Sequence, residues 1–258
     1  MPGDESVRLA VVLIPSWHRT SDGVAMQAHS RILRAILTVA LTLAMTPPLT
    51  SVTQAATAWT EGKHYFLINP PRAPSVAPGK VEVTEVFSYG CPACNLFVPI
   101  MHQLQKALPP NAVLDYLPAS FNPSEDWPMF QLAYLTAQSL GIADQSHDAM
   151  FDAVWTTREL SVIDPATQRI REHLPTIEDA ARFYNRRSGV PVDKFVSTAK
   201  SFAVDVKVRG AEDAIQAYKV DRTPTIIVNG KYRLYPQSAG GNDEVVELVT
   251  WLVAKETK

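Results

Sequence analysis

Residues 81–94 of the chain read Val-Glu-Val-Thr-Glu-Val-Phe-Ser-Tyr-Gly-Cys-Pro-Ala-Cys. The first seven, Val81–Phe87, alternate loosely and carry β-branched residues, which predicts a strand. A short turn follows, and Cys91-Pro92-Ala93-Cys94 opens a helix. The chain of 258 residues has 2 cysteines, and both lie here. Thiols at positions i and i+3 share one helix face, so they can close a small disulfide ring or open to two thiols. At a helix N-terminus, unpaired backbone N–H groups and the macrodipole favour an anion, so the Cys91 thiol is expected to ionise readily. Pro92 suits the first turn, where no N–H is needed. Cys94 lies one turn deeper and is shielded. Cys91 is therefore the expected nucleophile and Cys94 the resolving thiol.

Other readings of the pair are weaker. A zinc site takes four ligands, commonly a second Cys-x-x-Cys or closely spaced histidines. No third cysteine exists, and His64, His102, His147 and His173 are scattered singly and read as surface residues. No metal site and no cofactor are expected. A purely structural disulfide between Cys91 and Cys94 closes so short a loop that it constrains the unfolded chain little.

Composition sets the class. Hydrophobic residues make up 46% and the formal net charge is −2, which describes an ordinary globular protein with no basic stripe for nucleic acid. The 20 prolines punctuate many short elements, which argues for a segmented α/β fold over a long-helix bundle. The N-terminus stands apart. Arg31 and Arg34 precede an apolar run, Ala35–Met45, and Pro47-Pro48 ends it; Ala56-Thr57-Ala58 follows as a small-residue cleavage site. This is the layout of a secretory signal peptide, too short in its apolar part for a comfortable membrane span. Met26 reads as the real start, with residues 1–25 dispensable for export. A retained anchor is the alternative. An exported chain works in an oxidising compartment, where a lone Cys-x-x-Cys acts on the cysteines of other proteins.

Along the chain, His64–Ile68 reads as an edge strand. Glu85 is a carboxylate among apolar strand neighbours, either facing solvent or buried for a purpose. Cys91–Leu108 reads as a helix kinked by Pro99, with Leu96, Phe97, Ile100, Met101, Leu104 and Leu108 as its core stripe. Ala112–Leu117 is a second strand. Helical periodicity then takes over from Pro118 to about Val206, with helices at Met129–Leu140, Gln145–Thr156, Thr176–Ser188 and Val192–Val206. The last of these turns Phe195, Ala199, Phe202 and Val206 inward. Gly210–Lys219 is a helix. Thr225–Val228 and Lys231–Tyr235 are strands joined by Asn229-Gly230, a strong hairpin turn. Asn242–Lys255 is a terminal amphipathic helix. The expected organisation is residues 1–58 as extension and signal peptide, 59–117 with 207–258 as one domain, and 118–206 as an inserted helical domain.

Two stretches then carry a family resemblance: Glu85–Phe97 (EVFSYGCPACNLF) and Arg222–Tyr232 (RTPTIIVNGKY). Together, and with Trp59–Tyr65 (WTEGKHY), they resemble the DsbA family of periplasmic thiol–disulfide oxidoreductases over essentially residues 59–255. The resemblance implies an α/β, thioredoxin-like fold with an inserted helical domain. It implies a cis Thr223–Pro224 peptide facing the Cys-x-x-Cys and pairing with substrate backbone, and a buried Glu85 that moves a proton to and from Cys94. It also implies reduced exported proteins as substrates, a quinone-linked membrane reoxidase as partner, a periplasmic location and a monomer. Both site features make physical sense. A cis X–Pro presents an extended backbone edge, and a buried carboxyl of raised pKa can shuttle a proton. Two departures stand out. Ala93 replaces the histidine the family commonly has in its Pro-His dipeptide, which implies a less oxidising pair. Gly90 replaces a bulky aromatic. Within the same fold a reductase or isomerase is the alternative, and outside catalysis a chaperone. An isomerase's N-terminal dimerisation domain does not fit between Ala58 and Cys91.

Overall fold

Val81–Phe87 forms an interior strand of a five-stranded sheet, and all seven of its residues are buried. The structure is a computed structural model that describes residues 59–257. The expected leader, residues 1–58, lies outside the described residues. In chain order the strands are β1 (Phe66–Leu67), β2 (Val81–Phe87), β3 (Ala112–Pro118), β4 (Thr225–Val228) and β5 (Tyr232–Leu234). Their order across the sheet is β1-β5-β4-β2-β3, with β2 and β3 parallel and the other pairs antiparallel. The parallel pair needs a crossover. Helix α1 (Pro92–Ala107) supplies it.

Helices cover both faces. On one, Phe97, Ile100, Met101 and Leu104 of α1 pack with Val81 and Val83 of β2 and with Val245, Leu248, Val249, Leu252 and Val253 of α8 (Asn242–Glu256). The other face is covered by Ala214 and Ile215 of α6 (Phe202–Ala217), which meet Val86 and Ile227. Between β3 and β4 come α2 (Trp127–Ser139), α3 (His147–Trp155), α4 (Ile177–Ser188), α5 (Val192–Ala199) and then α6. No named strand lies among them; a single bridge pairs Ile163 with Ile170. The short α7 (Pro236–Ala239) precedes α8. Among the described residues no helix is long and apolar enough to cross a membrane.

Local chemistry explains the boundaries. Thr176 caps α4 in a reciprocal box: its hydroxyl accepts from the Asp179 N–H at 3.2 Å, and the Asp179 carboxylate accepts from the Thr176 N–H at 2.8 Å. Asn229 and Gly230 have φ of 52° and 62°, both left-handed, as a two-residue turn matching strand twist requires.

Several sequence expectations are corrected. The return strand is Tyr232–Leu234 and not Lys231–Tyr235, because the Lys231 N–H is used by the turn, on the Val228 carbonyl at 3.0 Å. Val192–Val206 is not one helix. It breaks after Ala199, and Ser201 caps a new helix by accepting from the Val204 N–H at 3.4 Å. That helix runs unbroken to Ala217, absorbing the expected Gly210–Lys219 element. The restart resets the helical phase, so Phe202 and Val206 face solvent at 78% and 46% exposure, while Phe195 and Ala199 are buried. Leu96 is 74% exposed because it lies roughly 90° round α1 from the stripe of Phe97, Ile100, Met101 and Leu104. His147 is buried and not a surface residue.

Candidate active site

The turn from β2 to α1 puts the two cysteines at the seam between the sheet and the helical block. Phe87, Tyr89, Cys91 and Cys94 share one buried cluster with residues of α2, α3, α4 and α5. Cys91 is the N-cap of α1, with extended backbone, and its sulfur accepts from the Cys94 N–H at 3.4 Å. Pro92 takes the first helical position, where the missing N–H costs nothing. Pro92 and Ala93 are exposed, Cys91 is 5% exposed and Cys94 is fully buried. Both cysteines are free thiols, the reduced state of the expected Cys91–Cys94 pair.

The two thiols are driven apart electrically. Cys91 is lowered to about 6. The hydrogen bond from the Cys94 thiol is the largest cause. Burial opposes it, and the Thr223 hydroxyl with the backbone N–H groups of Cys94 and Ala93 lowers the value further. Burial pushes Cys94 well up, and its hydrogen bond to Cys91 and the nearby Glu85 charge push the same way. At neutral pH the first sulfur is a thiolate and the second keeps its proton.

Glu85 lies beneath them. Residues 81, 83, 85 and 87 alternate onto one face of β2, the face under α1. Glu85 is 2% exposed, so the solvent-facing alternative is excluded. Burial first, and the Cys91 charge second, raise its carboxyl well above the usual carboxylate range. It pairs in register with Tyr116 on one side and Ile226 on the other.

The second motif closes the site from across the sheet. Thr223–Pro224 is cis, and the Cys91 sulfur stands 3.6 Å from the Thr223 carbonyl oxygen, 132 residues away in sequence. Pro224 is buried and Thr223 half-buried. Gly90 is required by a close approach: a Cβ there would stand 2.7 Å from Cδ1 and Nε1 of the Trp127 indole. Sequence reading notes the unusual glycine but not the tryptophan of α2 that occupies its space. Tyr89 and His147 also escaped it, because a lone buried histidine has no sequence signature. The structure thus brings together Cys91, Cys94, Glu85, Thr223 and Pro224 from two stretches of chain far apart in sequence.

No family model matches the chain. Comparison with individual proteins is decisive. The thiol:disulfide interchange protein DsbA of Pseudomonas aeruginosa is 35% identical over 221 residues, covering 86% of this chain and 95% of that one. This chain belongs to the DsbA family. The DsbA of Bordetella parapertussis is also 35% identical, over 206 residues and 88% of its length. Among solved structures, Pseudomonas aeruginosa DsbA superposes with a TM-score of 0.64 at 35% identity, over 77% of this chain and 94% of that one. Xylella fastidiosa DsbA gives 0.65 at 28% identity, over 76% and 96%. The fold is therefore the thioredoxin-like α/β fold of DsbA proteins with its helical insertion. The chain is a thiol:disulfide oxidoreductase of the disulfide-introducing kind.

Proposed function

We propose that the chain is exported to the periplasm through its N-terminal signal and donates the Cys91–Cys94 disulfide to reduced exported proteins. Residues 59–117 with 207–258 form the thioredoxin-like half of this machine, and 118–206 the helical half. A client thiolate attacks the Cys91 sulfur, and the Cys91–Cys94 bond breaks. Its electron pair goes to Cys94, which takes a proton, supplied through Glu85. A second client thiolate then attacks the client sulfur of the mixed disulfide. The client disulfide forms and Cys91 leaves as a thiolate. Thr223 and Pro224 line the edge on which the client backbone lies; Pro92 and Ala93 tune the potential. A quinone-linked membrane partner removes the two electrons, and the protein works as a monomer.

The observation that carries this reading is the opposite pull on the two thiols, Cys91 down to about 6 and Cys94 well up. A stable leaving thiolate at Cys91 makes the disulfide a ready oxidant. The test is trapping. Cys94→Ala accumulates mixed disulfides through Cys91, whose thiolate attacks a client disulfide and releases the other client sulfur as a thiolate, because the resolving thiol is gone while the attacking one remains. The trap forms more slowly than native exchange, since the Cys94 hydrogen bond that most lowers Cys91 is gone too. Cys91→Ala traps nothing. Equal trapping by both variants would overturn the assignment. A redox titration against glutathione then separates an oxidase from a reductase.

A further inference from the structure

Tyr89, two residues before Cys91, is held at two points by one helix of the insertion. Its hydroxyl meets His147 Nδ1 at 3.0 Å, and its backbone carbonyl accepts the Trp155 indole N–H at 2.8 Å. His147 is the first residue of α3 and Trp155 the last. Both bonds cross from the helical block to the redox loop, over 58 and 66 residues of sequence. We propose that His147 and Trp155 are positioning residues for thiol–disulfide exchange: α3 grips Tyr89 by side chain and backbone, and so fixes where the Cys91 sulfur stands.

Three facts support a positioning role over mere packing. Tyr89 is 1% exposed, so its carbonyl and hydroxyl find no replacement partners in solvent if these bonds are removed; the Tyr184 phenol is the other polar group that faces the hydroxyl. His147 is wedged among the rings of Tyr116, at 4.2 Å, Phe87, at 4.9 Å, and Tyr89 and Phe151, each at 5.3 Å or less, so its nitrogen is held in place. Between Tyr89 and Cys91 only Gly90 intervenes, pressed against Trp127, so a shift of Tyr89 passes to the cap of α1. The Cys91 sulfur is placed by contacts with Cys94 N–H at 3.4 Å and Thr223 at 3.6 Å, distances at which a small displacement loses the interaction. A third link from α3, Asp148 to His102 of α1 at 2.8 Å, is exposed and contributes little.

The role rests on Cys91 being the reactive thiol. Three variants test it, each removing one atom's bonding and keeping a ring: Tyr89→Phe, His147→Phe and Trp155→Phe. Thiolate absorbance against pH and equilibrium with glutathione are read on each, beside thermal melts. The expected result is a rise in the Cys91 pKa of about half a unit or more, roughly a threefold loss of thiolate on the rising limb, and a less oxidising potential. Tyr89→Phe removes the bond to His147 together with the contact to Tyr184, so the double variant is expected to shift no further than Tyr89→Phe alone. Should His147→Phe not fold, Tyr89→Phe reads that bond from the loop side. Melting temperatures that fall while the Cys91 titration and potential stay at wild-type values would mean packing only and overturn the proposal. So would a lowered pKa. Client capture by Cys91→Ala would instead sink the nucleophile assignment, whatever the α3 variants do.

Discussion

At the scale of single residues, the redox pair is tuned by what surrounds each sulfur. The Cys91 thiolate has the thiol of Cys94, the hydroxyl of Thr223 and two backbone N–H groups, but no cation from position 93, where Ala93 is exposed. A protonated imidazole there adds a charge beside the sulfur, worth on the order of 1 kcal/mol at an exposed site. Ala93→His is therefore expected to lower the Cys91 pKa below about 6. It is also expected to make the pair more oxidising by tens of millivolts, ~30 mV corresponding to ~1.4 kcal/mol for two electrons. Thiolate absorbance and a glutathione titration on both proteins check this, and an unchanged pKa would assign the poise to the helix end with the Cys94 and Thr223 hydrogen bonds, and not to the dipeptide. Glu85 makes the opposite kind of prediction. Its carboxyl is raised by burial, so folding costs free energy as pH rises above the ordinary value of 4.5. Glu85→Gln removes that cost: the variant is expected to be more stable than wild type near neutral pH and equal to it below the carboxylate range. With Glu85 as the proposed proton carrier, its loss is expected to slow exchange by about tenfold to a hundredfold. Urea melts at two pH values and client-oxidation rates test both halves, and a variant neither more stable nor slower would leave Glu85 without a role.

At the scale of elements, the site is made where β2, α1 and the segment before β4 end together. The helix N-terminus is the part of α1 that chemistry uses, and the loop ending in Pro224 brings a backbone carbonyl to it from across the sheet. A client chain laid along that loop meets Thr223 next to the reacting sulfur. Thr223→Arg crowds this edge and replaces the hydroxyl that helps lower Cys91. Client capture is expected to weaken several-fold, and the Cys91 pKa is expected to rise. Binding of an unreactive Ser-for-Cys client peptide isolates the first effect from the second. Peptide affinity equal to wild type would show that the client lies elsewhere. Element boundaries carry the same lesson. The Ser201 cap restarts a helix and turns Phe202 outward, although the apolar spacing runs on through it.

At the scale of the whole molecule, the cysteines belong to the same buried cluster as the helical block, and their ionisation feeds back on stability. Cys91 has a depressed value in the folded reduced protein, about 6 against an ordinary 9.0. The stability it contributes is fully present above the ordinary value and is lost as pH falls through the folded one. The oxidised form has no such group. The reduced protein is therefore expected to gain stability relative to the oxidised one as pH rises from about 6 to 9.0, by on the order of 1 kcal/mol already at neutral pH. The Glu85 carboxyl, raised by burial in the first place and by the Cys91 charge in the second, subtracts from that gain. Paired melts of the two redox forms across this range measure the net effect. A difference that does not change with pH would mean that Cys91 is not ionised preferentially in the folded state.

The sequence alone determined the chemistry and most of the architecture. Two cysteines three apart behind a β-branched strand fix a redox pair at a helix N-terminus, since spacing and capping are local properties of the chain. Asn229-Gly230 likewise fixes its hairpin, because two left-handed residues leave little choice of turn. The strand Val81–Phe87, the capped helix from Thr176 and the cis-proline segment read through its family resemblance were legible for the same reason. Tertiary structure decided what depends on contacts between distant segments. It buried Glu85, which the strand pattern left open. It buried His147, which reads as one more scattered histidine. It set Trp127 against Gly90, and it closed both ends of α3 on Tyr89. Burial and hydrogen bonds across 58 or 132 residues are set by how layers stack, and no local spacing encodes them.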